Sequence, residues 1–221
     1  EEIADYCAEY EKKIESLGGI DLQILGIGGN GHIGFNESGS LQNSKTRLVA
    51  LDHITRVAAS KDFSGLSNTP RTAITLGVKK IMEAKKVILM AWGEGKANII
   101  KKSVEDEVTN RIPASFLQEH NNAVFVLDKE ASSKLTRINR PWLVEKVIWT
   151  DKLTRKAVLG LALELKKPIL MLTDADYIEN GMSDLLAHSG PAYDINIEIF
   201  NKLQNTITGW PGGKPNADDS N

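Results

Sequence analysis

The sequence predicts an α/β protein: an open, Rossmann-like parallel sheet flanked by helices, present in part, with a mostly helical C-terminal extension. Three observations carry this. Short apolar runs alternate with helical patterns through residue 128, the order that builds a parallel sheet. Two of these runs, 20-IDLQILGIG-28 and 86-KVILMAWG-93, end in glycine, as buried parallel strands do where they empty into loops. Beyond Arg140-Pro141 the strand-like runs thin out and helical periodicity takes over.

Ile3, Cys7, Tyr10, Ile14 and Leu17 recur at three- and four-residue spacing, which predicts an opening amphipathic helix, and Gly18-Gly19 supplies its stop. The strand at 20–28 follows. Residues 41 to 71 read as polar and irregular, and a helical pattern returns over 71–85. Next come the strand at 86–93, a helix over 94–106, a short helix at 113–120 with Pro113 in its first turn, and a strand at 122–128. In the extension, a helix over 150–166 has Thr150 and Asp151 as cap candidates. Then follow a short apolar run at 168–172, an acidic turn at 173-TDAD-176, and a last helix near 191–204. The predicted organisation is an α/β domain at 1–138, an accessory helical segment at 139–207, and a Gly/Pro/Asp/Asn-rich linker at 208–221.

Composition removes several function classes. The chain has 221 residues, 41% of them hydrophobic and 25% charged, as in an ordinary globular protein. A formal net charge of −2 with interspersed lysines gives no electrostatic footprint for nucleic acid or an anionic membrane. One cysteine, Cys7, leaves neither an internal disulfide framework nor a multi-Cys metal site. No signal peptide and no run of eighteen apolar residues is present, so the default location is cytoplasmic. The chain opens in mid-helix without an initiator Met and is expected to be a piece of something longer.

The chemistry concentrates in 24-ILGIGGNGHIGFNESGS-40. In open α/β sheets, ligands sit outside the carboxyl ends of strands, and this loop lies at such an end. Gly28, Gly29 and Gly31 let backbone approach a substrate. Although Gly26, Gly28 and Gly31 satisfy G-x-G-x-x-G, His32 stands where a helix should open, and no acidic residue ends a strand some way on; the dinucleotide reading is weak. A lone histidine more commonly bonds a loop carbonyl. Here it sits at a strand end, between glycines, with Glu37 close behind. A carboxylate on one ring nitrogen fixes the tautomer and raises basicity at the other, which suits general acid–base work on a hydroxyl. One His and one Glu do not make a metal site, so no metal is expected.

At GNGHIGFNESGS the chain resembles the glucosamine-6-phosphate deaminases, a family of sugar-phosphate isomerases. The likeness continues through 44-SKTRLVALDHITRVAASKDF-63, 69-TPRTAITLGVKKIMEAKKVILMAWGEGKA-97 and 113-PASFLQEHNNAVFVLD-128. The resemblance implies conversion of glucosamine 6-phosphate and water to fructose 6-phosphate and ammonia, a reaction that needs no redox cofactor. It implies that His32 opens the sugar ring by moving a proton at the ring oxygen, that Glu37 orients it, and that Asn30 stands where members carry Asp or Asn. Lys96, in 93-GEGKA-97, matches the phosphate-binding lysine, and Lys61 falls where an arginine is common; lysine keeps the charge but not the bidentate fork. Arg47 matches a basic position of the pattern, whereas Val49 replaces the lysine that allosteric members pair with it, which argues against activation by N-acetylglucosamine 6-phosphate.

Two family features are unmatched in these residues: the Gly-Ser/Thr phosphate loop and the aspartate that takes the C2 proton. The chain alone is therefore expected to be inactive. Ser38 also replaces the usual proline. The region after 139 resembles an extension in longer bacterial relatives that precedes a PIG-L-type deacetylase-like domain, which would be a partner within the parent chain. Alternatives are a non-catalytic sugar-phosphate sensor, a galactosamine-6-phosphate isomerase, and a phosphogluconolactonase-like hydrolase. Both hexamers and monomers occur under this signature, so a homo-oligomer remains open.

Overall fold

The computed structural model describes residues 2–208. Two compact units divide the chain, the first Glu1–Asn139 and the second from Arg140 onward.

The first unit opens with α1 (Glu2–Ser16), whose early acids Glu2 and Asp5 and late Lys13 suit the helix dipole. Gly18 and Gly19 close it with φ of 89° and 86°. The apolar stripe is a different matter: Cys7 is buried, but Ile3, Tyr10 and Leu17 face solvent. The helix is held instead by buried Glu11, whose Oε1 accepts the backbone N–H of Thr46 at 2.6 Å.

The run 20–28 yields only a three-residue strand, β1 (Gln23–Leu25), before the glycines turn the chain out of the sheet. The segment 41–71, expected to be irregular, contains β2 (Arg47–Ala50) and α2 (His53–Ala59). The helix expected over 71–85 is likewise corrected. Its first half is β3 (Thr72–Thr75), antiparallel to β2 in the register Arg47↔Thr75, and only α3 (Val78–Met82) is helical. The cause is local: Thr72, Ile74 and Thr75 are β-branched and favour a pleated strand once a partner lies alongside. Gly77 then allows the backbone of Ser44 and Lys45 to cross so closely that any Cβ there would collide with it.

β4 (Val87–Ala91), α4 (Ala97–Glu105, after a 3-10 turn at Glu94–Lys96), the 3-10 helix Pro113–Glu119 and β5 (Ala123–Leu127) fall where expected, and α5 (Thr136–Asn139) ends the unit. β1, β4 and β5 form a parallel sheet in the order β1-β4-β5, with Gln23 opposite Val87 and Val87 opposite Ala123. One sheet face buries Leu25, Val87 and Leu89 with Ile33, Ile81, Ile100 and Leu117 in a single core. The other presents Ile24, Met90, Val124 and Val126 to solvent, although the strands are continuously apolar like those of sheets covered on both sides.

The second unit is helical, as the sequence predicts. Thr150 caps α6 (Asp151–Leu165) by accepting the N–H of Leu153, and Lys166 ends it in the left-handed region at φ 51°. The acidic 173-TDAD-176 is corrected from a turn to the start of α7 (Asp174–Glu179). Thr173 and Asp176 form a reciprocal capping box there, a Thr-to-acid spacing that satisfies two orphan N–H groups. α8 (Ser183–Ser189) and α9 (Ala192–Thr208) complete it around Val158, Leu161, Tyr177, Met182, Leu185 and Ile199. Thr208 thus belongs to a helix, and the rest of the expected linker lies outside the described residues. Among the described residues no helix is long and apolar enough to cross a membrane.

Candidate active site

The loop after β1 folds back on itself at once. The N–H of Gly28 donates to the carbonyl of His32 at 3.0 Å, and that of Gly31 donates to the carbonyl of Gly28 at 3.0 Å. This tight ring lays the imidazole of His32 flat against the α-carbon of Gly28, and a Cβ on Gly28 would overlap Cε1, Nε2 and Nδ1. Gly31 has φ 86°, and a Cβ there would approach Cγ2 of Ile112 to 2.6 Å. Gly29 has open space around it. Two of the three glycines are therefore required by packing, and the third leaves the loop open.

Nδ1 of His32 lies 3.1 Å from Oε2 of Glu37 and 3.3 Å from Oγ1 of Thr55. An ionised carboxylate only accepts, so Nδ1 carries the proton and Nε2 presents its lone pair. Among the described residues nothing hydrogen-bonds Nε2, whereas the Asn30 side chain is fully engaged. Its Nδ2 donates to Oε2 of Glu37 at 2.7 Å and to Oδ2 of Asp52 at 3.1 Å, and its Oδ1 accepts the N–H of His32 at 3.2 Å. The backbone N–H of Asp52 donates to Oε1 of Glu37 at 3.3 Å. Burial pushes the Glu37 carboxyl up as the largest single influence. Hydrogen bonds from Thr55 and Asn30, the charge of His32 and the Asp52 N–H together outweigh it, holding Glu37 below its ordinary 4.5. Asn30, His32 and Glu37, singled out from the sequence, thus form one connected cluster.

A second layer fixes the loop. Asn36 is fully buried and donates to the carbonyls of Ile33 at 3.0 Å and Leu76 at 2.8 Å, while its Oδ1 accepts from Arg47 at 3.0 Å. The same guanidinium donates to Oγ of Ser40 at 2.8 Å, and burial lowers its proton affinity. Arg47 therefore binds both ends of the 36–40 turn.

Lys96 is half-buried, with Nζ donating to the carbonyl of Ile27 at 2.7 Å, which sets a cation beside the glycine loop. An ammonium has three donors, so two remain for an anion. Lys61 stands exposed in the turn after α2, and none of the hydrogen bonds or ion pairs among the described residues joins it to the cluster. No group of three or more His, Cys, Asp or Glu side chains is placed to hold a metal ion among the described residues.

Sequence reasoning missed Asp52 and Thr55. The signal available was 51-LDHIT-55, an Asp directly before a short helix, but it is readable only once β2 is recognised ahead of it.

The profile of the glucosamine-6-phosphate isomerases/6-phosphogluconolactonase family matches residues 1–126, which include every member of the cluster. The chain is 58% identical over 218 residues to a glucosamine-6-phosphate deaminase-like protein of Bacteroides thetaiotaomicron, covering 99% of this chain and 33% of the relative. It is 50% identical over 129 residues to a glucosamine-6-phosphate deaminase of Clostridium botulinum, covering 58% of this chain and 53% of that one. A solved monomeric glucosamine-6-phosphate deaminase superposes with a TM-score of 0.57 at 39% identity, over 58% of this chain and 53% of that chain. This chain spans about a third of the first relative and about half of the other two. The loop geometry and the profile fall on the same residues, and the chain belongs to the glucosamine-6-phosphate isomerase/6-phosphogluconolactonase family.

Proposed function

We propose that the full-length protein, with whatever residues flank these 221, is a glucosamine-6-phosphate deaminase that releases ammonia and fructose 6-phosphate. One observation carries the reading: His32 is held at Nδ1 by the Glu37 carboxylate, whose proton affinity is lowered, and among the described residues nothing hydrogen-bonds Nε2. The Ile27-anchored ammonium of Lys96 stands at the same strand end. An imidazole with a lone pair outward can move a proton between a sugar's anomeric hydroxyl and its ring oxygen, which opens the ring. As the imidazolium forms, Glu37 stabilises it across 3.1 Å. Lys96 holds the phosphate as a point charge, and Gly29 lets the sugar approach the backbone. The C2 proton requires a further base, which we assign to residues outside these 221, consistent with the half-length match to the curated deaminases.

The family also includes 6-phosphogluconolactonase, whose chemistry is ester hydrolysis, so the two substrates separate the readings. Purified full-length protein is assayed in parallel for ammonia from glucosamine 6-phosphate and for acid from 6-phosphogluconolactone. Ammonia release without lactonase activity supports the deaminase. The reverse pattern assigns a hydrolase, and tight sugar-phosphate binding without turnover assigns a sensor.

A further inference from the structure

Asp52 occupies the N-cap position of α2, where an aspartate ordinarily accepts a helix N–H, yet its side chain makes no capping hydrogen bond. Its Oδ2 reaches across 22 positions of sequence to accept from Nδ2 of Asn30 at 3.1 Å. The same amide group donates to Glu37 at 2.7 Å, and the backbone N–H of Asp52 donates to the other oxygen of Glu37. Residue 52 therefore grips Glu37 twice, directly through its backbone and indirectly through Asn30.

We propose that Asp52 is a positioning residue for the His32–Glu37 pair, acting as the acceptor that fixes the Asn30 amide with its NH2 toward Glu37. An amide can flip, and its two ends are nearly the same shape. With Asp52 in place a flip would set the amide oxygen against two carboxylates, Glu37 and Asp52. It would also remove the acceptor from the His32 N–H, which lies 3.2 Å from Oδ1. Without Asp52 one of those penalties vanishes, and the donor to Oε2 of Glu37 is held less firmly. The groups facing Glu37 are His32, Thr55, Asn30 and the N–H of Asp52, so weakening Asn30 removes one of the hydrogen bonds that oppose its burial. An acceptor is required at position 52, not a charge.

The inference rests on the proposed function for its kinetic consequence, but its structural test does not. Two variants are compared in the full-length protein. Asp52→Ser retains a good N-cap residue but is too short to reach Asn30, and Asp52→Asn retains an acceptor of the same size. Carboxyl 13C titration of Glu37 reads the local effect whether or not the protein turns over glucosamine 6-phosphate. Asp52→Ser is expected to move the Glu37 midpoint up toward its ordinary 4.5, and Asp52→Asn to leave it depressed. For the deaminase, Asp52→Ser should lower kcat about tenfold with little change in KM, and Asp52→Asn should restore it. An unmoved Glu37 midpoint in a folded Asp52→Ser protein overturns the proposal. So does an Asp52→Asn protein that behaves like Asp52→Ser, which would make charge the operative property. A moved midpoint with no ammonia release from any form sustains the positioning role and defeats the deaminase reading.

Discussion

The imidazole of His32 lies against the α-carbon of Gly28, with no room between them for a single methyl group. Gly28 is therefore part of the apparatus that aims His32. Its backbone is not in the left-handed region, so Gly28→Ala would not strain the chain there, but would displace the ring. Displacing a catalytic group by about 1 Å lowers turnover on the order of 100-fold. We expect that loss in Gly28→Ala at nearly unchanged Tm, and near-normal activity in Gly29→Ala, where a Cβ meets open space. Equal losses in the two variants would remove the aiming role.

Glu37 links the site to pH. Its folded pKa lies below its ordinary 4.5, so its contribution to stability is complete above that value and is lost as pH falls through the depressed one. Gln at this position mimics the protonated acid. Accordingly, the wild type should be more stable than Glu37→Gln at about pH 6, and the gap should be narrower at about pH 4. Denaturant midpoints at the two pH values measure this, and a gap that widens on acidification would reverse the sign of the argument.

Lys96 and Lys61 make an internal comparison. Lys96 is half-buried and anchored to Ile27 at the loop, whereas Lys61 is exposed and, among the described residues, makes no hydrogen bond or ion pair to the cluster. A charge-assisted hydrogen bond to phosphate is worth about 1.5–3 kcal/mol, roughly tenfold to a hundredfold in affinity. Lys96→Met should weaken glucosamine 6-phosphate binding by that factor, read by calorimetry, with a smaller effect in Lys61→Met. A larger loss in Lys61→Met would move the phosphate grip to the turn after α2.

Gly77 is a position of pure packing. Any Cβ there meets the main chain of Ser44 and Lys45, which cannot swing aside like the end of a side chain. Gly77→Ala should destabilise the protein by about 3 kcal/mol. Thermal unfolding within 1 °C of wild type would show that the β2–β3 crossing is looser than described.

The hydrogen-bonded cluster was legible in the sequence because its members are local: Asn30, His32 and Glu37 fall within eight residues, on a loop rich in glycine. What was illegible depends on long-range pairing. β3 reads as helix because 71-RTAITLGVKKIMEAK-85 has apolar spacing compatible with one; only its pairing with β2 reveals the strand. Asp52 and Thr55 were hidden for the same reason, being brought to Asn30 and His32 respectively by a strand in a segment that the sequence presents as polar and irregular. Arg47 was read as a basic position, yet its hydrogen bonds to Asn36 and Ser40 place it under the loop. On α1 the opposite error occurred. A regular apolar stripe suggested burial, but the helix is tied down by an acid, Glu11, and leaves Ile3, Tyr10 and Leu17 in solvent.

The central claim is that His32, held at Nδ1 by Glu37, performs acid–base chemistry on a phosphorylated amino sugar. Ammonia release from glucosamine 6-phosphate by the full-length protein, with a folded His32→Ala variant alongside, tests it most directly. We expect release by the wild type and a loss of at least about 100-fold in the variant, with sugar-phosphate binding retained through Lys96. Wild-type rates in His32→Ala would contradict the account and return the glycine loop to a purely structural role.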